Sequence, residues 1–161
     1  MAADPSLELG KLLDQYDEKH HAVEERRRQA KSDDENFQRK FSDLRTSVVR
    51  PVFEKMGAIL KERGHAFSIS EDEYADEPGG KTTEAAVSIR VIPAGMESDA
   101  QAPLLCFVTR HYNKTVCIRS SYALPQPGGS AGPRGDYQLA QIDTDLVQLE
   151  VLKLIAGMVN R

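Results

Sequence analysis

Between Gly10 and Pro51 the chain contains neither glycine nor proline, the two residues that most often punctuate a helix. Inside that stretch Phe37, Phe41, Leu44 and Val48 recur at spacings of four, three and four. This is the narrow apolar seam of a coiled-coil helix. Glu, Lys, Arg, Gln and Ala fill many of the positions around it, and all are good helix formers. Ahead of the seam, Leu7, Leu12, Leu13, Tyr16 and Val23 make a sparser apolar stripe. The charged run Glu24-Glu25-Arg26-Arg27-Arg28-Gln29-Ala30-Lys31 follows it. The pattern predicts a helical region over residues 7–50. Ser32-Asp33-Asp34-Glu35 has capping-box form, so either a second helix begins at Ser32 or one helix runs through. Pro51 has no N–H and clashes with the preceding turn, which predicts a kink or a restart there. Val52, Phe53, Met56, Ile59 and Leu60 then continue an apolar face, and Gly64 suits the position just past a helix end.

After Gly64 the period changes from helical to alternating. Residues 66–70, 85–91, 104–109 and 115–121 read as strands, and Tyr137, Leu139 and Gln141 as a last short one. The third and fourth strands form a hairpin around His111-Tyr112-Asn113. Two registers keep Leu105, Phe107, Val116 and Ile118 on one face. Partners summing to 223 set Cys106 opposite Cys117, and partners summing to 225 separate the thiols; the expectation is 223. Residues 124–135 hold four glycines and three prolines, which predicts an irregular loop. Asp143 is placed to cap a final helix over 144–160, with Ile142 and Val147 as a hydrophobic staple.

This order predicts an α+β fold. It has a long N-terminal helical arm (one helix or two), then a mainly antiparallel sheet of four or five strands covered by a C-terminal helix. The domain reading is a helical arm over 1–50 and a small head over 51–161, whose 111 residues suffice for a modest core.

Charge divides the same way. Residues 1–64 carry 13 acidic and 13 basic side chains, so the whole net charge of −4 lies in residues 65–161. An acidic head disfavours nucleic-acid binding by that half, since phosphate affinity comes mainly from Lys and Arg. No apolar run is long enough to span a membrane, and the N-terminus lacks the pattern of a secretory signal, so the expected location is the cytoplasm. Cys106 and Cys117 are expected to be reduced structural thiols.

Several short motifs invite a chemical reading and fail its spacing test. Gly79-Gly80-Lys81-Thr82 ends like a phosphate-binding loop, yet Ala75 stands where the first glycine belongs and a strand follows. Glu18 and His21 have the spacing of a carboxylate-bridged metal bundle, but only one copy is present. Asp72, Glu73, Asp76 and Glu77 lack calcium-loop spacing. His111 is expected as a solvated loop residue, and Arg134-Gly135-Asp136 as turn chemistry. No catalytic residue, cofactor or metal site is expected.

The leading expectation is a non-enzymatic interaction protein. A lone seam would leave roughly 1.5–3 kcal/mol unclaimed for each large apolar side chain, so it must pack. Its candidates are the chain's own first helix, through Leu12, Tyr16 and Val23, or another subunit. The first helix is sparse, which assigns Phe37, Phe41, Leu44 and Val48 to an oligomer interface with a second copy or a protein partner. One alternative is a small-ligand binder or enzyme with its site between the sheet and loops 71–82, 94–102 and 124–135. The other is nucleic-acid binding through the basic residues of the arm, Arg26, Arg27, Arg28, Lys31, Arg39, Lys40, Arg45 and Arg50, with which acidic residues are interleaved.

Overall fold

The computed structural model describes residues 4–96, 102–121 and 132–159. Its contacts group into two units, Met1–Asn36 and Phe37–Arg161. The second unit therefore begins within the predicted arm and takes in the Phe37 seam.

Helix α1 runs unbroken over Pro5–Leu44. Asp4 caps its start, accepting from the Ser6 amide at 3.1 Å, with Pro5 in the first turn where its missing N–H costs nothing. No second start occurs at Ser32. The Gln29 side-chain amide donates to Asp33 at 2.9 Å along the helix surface, so the capping-box residues decorate a continuing helix.

At Pro51 the chain neither restarts nor breaks. A π turn, Arg45–Val49, joins α1 directly to α2, Arg50–Glu62. The Arg50 amide donates to the Arg45 carbonyl, five residues back. The wider ladder precedes a proline that has no N–H to give, and the Ser47 hydroxyl donates to the Asp43 carbonyl at 2.6 Å. The π turn also rephases the buried face. Phe37, Phe41, Arg45 and Val49, each four apart, are buried, while Leu44 and Val48 are only partly so. Helix α2 ends in a Schellman cap. The His65 amide donates to the Leu60 carbonyl at 3.0 Å and the Gly64 amide to the Lys61 carbonyl at 3.1 Å, with Gly64 at φ +88°.

The sheet is a five-stranded antiparallel meander, β1 Ala66–Asp72, β4 Ala86–Ile92, β5 Leu104–Arg110, β6 Thr115–Ser121 and β7 Gly132–Tyr137, in the order β1-β4-β5-β6-β7. A small hairpin, β2 Ala75–Asp76 with β3 Thr82–Thr83, interrupts the connection from β1 to β4. Helix α3, Thr144–Val159, closes the unit. The predicted cap is present, with the Leu146 amide donating to the Asp143 carboxylate at 2.8 Å, and both staple residues, Ile142 and Val147, are buried.

The hairpin takes the 225 register, pairing Phe107 with Ile118 and Val108 with Cys117, rather than the expected 223. The reason lies in the turn. Register 223 needs a two-residue loop at His111-Tyr112, where favoured hairpin turns demand positive φ. Register 225 gives a four-residue loop that asks for positive φ only at Lys114, which has φ 56°.

A second correction concerns the Gly/Pro stretch. Residues 122–131 lie outside the described residues, but Gly132–Tyr137 is a strand and Leu139–Gln141 a 3₁₀ turn. Pro133 is tolerated because β7 is an edge strand and the register shifts there, between Ile118 and Arg119.

Alternation sorts the sheet's two faces. Val87, Ile89, Val91, Leu105, Phe107, Val116 and Ile118 are buried under Val52, Phe53 and Leu60 of α2 and Val147, Val151 and Leu154 of α3. The Phe53 and Phe107 rings meet at 5.9 Å with a 52° tilt. On the other face Ser68, Ser70 and Arg119 are exposed, and Ser88, Arg90 and Cys106 half-buried.

Candidate association surface

The arm, residues 4–36, offers an apolar face to solvent. Leu9 is 57% exposed, Leu13 52%, Tyr16 63% and Val23 42%. Leu12 is exposed on the same side, and Leu7, also exposed, stands toward the opposite side of the helix. The Tyr16 ring stacks on His20 one turn later, with centroids 5.9 Å apart and planes 7° from parallel. The flanking charges are partly self-paired. Arg27 reaches Glu24 at 3.6 Å and Arg28 reaches Glu25 at 3.2 Å. Exposed pairs of this kind are worth about 0.3–0.5 kcal/mol.

The seam assigned to an interface lies elsewhere. Phe37 and Phe41 are buried within the second unit, and Leu44 and Val48 are partly buried beside its core. Phe37 and Phe41 thus pack on the head of their own chain, while Leu44 and Val48 stay partly exposed at its edge. Another subunit could reach Phe41, 1% exposed, only by opening the head.

Two polar centres, missed from sequence, tie the seam down. Arg45, 5% exposed, donates to the carbonyls of Asp72 at 3.1 Å and Ala86 at 3.4 Å and pairs with the Glu73 carboxylate. Its guanidinium carbon stands 5.9 Å from the Phe41 ring centroid, and Glu71 bridges toward both Arg45, at 3.8 Å, and Arg50, at 3.0 Å. The acidic end of β1 and Glu73 just past it therefore neutralise a buried arginine. The second centre is His111, half-buried rather than solvated. Its ring stacks on Tyr74 at 4.2 Å, meets the Phe37 edge at 6.3 Å and accepts from the Gln38 amide at 2.8 Å. The Glu84 carboxylate receives the His111 amide at 3.2 Å and the Thr109 hydroxyl at 2.8 Å. Donors already hold that carboxylate and a ring packs each side of the imidazole, so the cluster is a lock between helix and hairpin.

The remaining motifs take structural roles. Gly79 sits at φ +72° in the turn before β3, Asp76 accepts from Thr82 at 3.2 Å, and Asp136 pairs with Arg110 at 3.2 Å. Both cysteines are free, and the register separates them. Burial raises the Cys106 thiol from 9.0 to about 11, with Arg119 opposing the shift, which leaves it a poor nucleophile at neutral pH. No group of three or more potential ligands gathers for a metal among the described residues. No helix among them is long and apolar enough to cross a membrane.

An open groove of about 580 Å³ runs past Lys40, Leu44, Ser47, Lys114 and Leu139. No carboxylate, imidazole or thiol lines it, so it lacks an acid–base pair. None of its lining residues belongs to loops 71–82, 94–102 or 124–135, where the alternative reading places a ligand site; parts of the latter two lie outside the described residues.

Comparison with protein-family models, with curated proteins and with solved structures finds no match to this chain.

Proposed function

We propose that this protein is a non-enzymatic association module. Its helical arm binds another helix, and its α+β head anchors that arm and offers a second surface for a partner. One observation carries the reading: Leu9, Leu13, Tyr16 and Val23 stay exposed on an otherwise charged helix while the lower seam is satisfied inside the head. Burying side chains of this size gains roughly 1.5–3 kcal/mol each, enough together to drive pairing. The outer side of α3 is the head's contribution, with Leu149, Leu152 and Val159 exposed along one helix face.

Light scattering over a concentration series tests the arm. The unaltered chain is expected to gain mass with concentration. Tyr16→Asp together with Val23→Asp is expected to hold it at monomer mass with the head's melting unchanged. A full-length chain that stays monomeric at several hundred micromolar, alone and with candidate partners, contradicts the reading.

A further inference from the structure

The following identity for the arm's partner rests on the association reading above. From Leu9 every seventh residue is apolar: Leu9, Tyr16, Val23, Ala30, Phe37 and Leu44. Taken as position d of a heptad, these put Leu13, His20, Arg27, Asp34 and Phe41 at position a. Leu9, Leu13, Tyr16, His20, Val23, Arg27 and Ala30 all lie within helix α1 in the first unit, so there the repeat forms a strip along one helix. Phe37 and Phe41 are used by the head, whereas Leu9, Leu13, Tyr16 and Val23 are exposed.

We propose that the exposed strip is covered by the arm of a second copy lying antiparallel. The charged a positions decide the orientation. In a parallel, in-register pair each a residue faces its own copy, so Arg27 would meet Arg27 and Asp34 would meet Asp34 at the seam. Like charges placed face to face select against a pairing. In an antiparallel pair each a residue faces a d residue, and every d residue here is apolar. Setting His20 against Val23 of the second copy puts Leu13 against Ala30, Leu9 against Asp34 and Tyr16 against Arg27. The last contact places a guanidinium over an aromatic ring.

Charge along the arm points the same way. Residues 4–25 carry seven acidic and two basic side chains, and residues 26–31 carry four basic and none acidic. The antiparallel alignment lays Asp14 and Asp17 along residues 26–29 of the second copy, which include Arg26, Arg27 and Arg28, and sets Glu18 level with Glu25 beside them. Parallel pairing lays the basic block on itself. The intrahelical pairs of Arg27 and Arg28 are exposed and weak, so they do not hold those side chains back.

Distance measurement between spin labels distinguishes the orientations. A label is placed at position 8 of the full chain by Glu8→Cys with Cys106→Ala and Cys117→Ala, the fold being checked by circular dichroism. If that background does not fold, a keto amino acid at position 8 carries the label in the otherwise unaltered chain. Antiparallel pairing aligns position 8 with position 35, so the two labels stand about 40 Å apart along the axis, 27 residues of helical rise. Parallel pairing sets them level, within about 20 Å, two helix diameters. Sedimentation equilibrium on the same sample reports the mass. A dimer with the long separation supports the proposal. A dimer with the short separation overturns the orientation and leaves the association reading standing. A monomer, or a dimer whose mass Tyr16→Asp with Val23→Asp does not change, overturns the second copy as the arm's partner; a monomer that also gains no mass with candidate partners overturns the association reading as well.

Discussion

Arg45 shows how one side chain can hold a helix to a sheet. It sits in the π turn, is almost wholly buried, and spreads its guanidinium over two backbone carbonyls and a carboxylate. Truncating it removes a donor from the carbonyls of Asp72 and Ala86 and leaves a void beside Phe41. Glu71 and Glu73 remain in contact with water, so the loss is smaller than for a fully enclosed ion pair. Arg45→Ala is expected to cost about 2–3 kcal/mol in urea denaturation. Arg45→Lys is expected to recover only part of it, because a single ammonium cannot reach both carbonyls and Glu73. A loss below about 0.5 kcal/mol for Arg45→Ala would show that the centre does not hold the fold. Its place four residues beyond Phe41 puts it on the buried face, but nothing in the local sequence says that Asp72, Ala86 and Glu73 wait there to receive it.

At the scale of elements, the helix does two jobs with one repeat, and the two halves are separable by mutation. Phe41 belongs to the head's core, so Phe41→Ala is expected to destabilise the head by about 3–5 kcal/mol in thermal or chemical unfolding. Substitution of Tyr16 or Val23, both exposed, is expected to leave that unfolding unchanged. Equal stability for Phe41→Ala and the unaltered chain would mean that the seam does not pack on the head. Much of this level was legible in advance. The glycine- and proline-free stretch gave the long helix, alternation at Val87, Ile89 and Val91 gave the central strand, and Asp143 gave the last cap. What was not legible depended on geometry between elements. The hairpin register turned on φ at Lys114, and β7 formed in a Gly/Pro-rich stretch because the edge of the sheet tolerates Pro133. The burial of Phe37 and Phe41 in the head of their own chain is also a matter of geometry between elements, which helical spacing alone does not carry.

At the scale of the whole molecule, the account is that the head consumes its own seam and the arm keeps an apolar strip for another helix. Amide hydrogen exchange, read peptide by peptide at high protein concentration, addresses this most directly. An isolated arm segment with no partner opens easily, while a paired one is protected. In the unaltered chain, amides over residues 9–31 are expected to exchange slowly, and Tyr16→Asp with Val23→Asp should return them to rapid exchange. Protection over residues 86–121 should be the same in both. Rapid exchange of the arm in the unaltered chain, or arm protection that the double substitution leaves intact, would contradict the account.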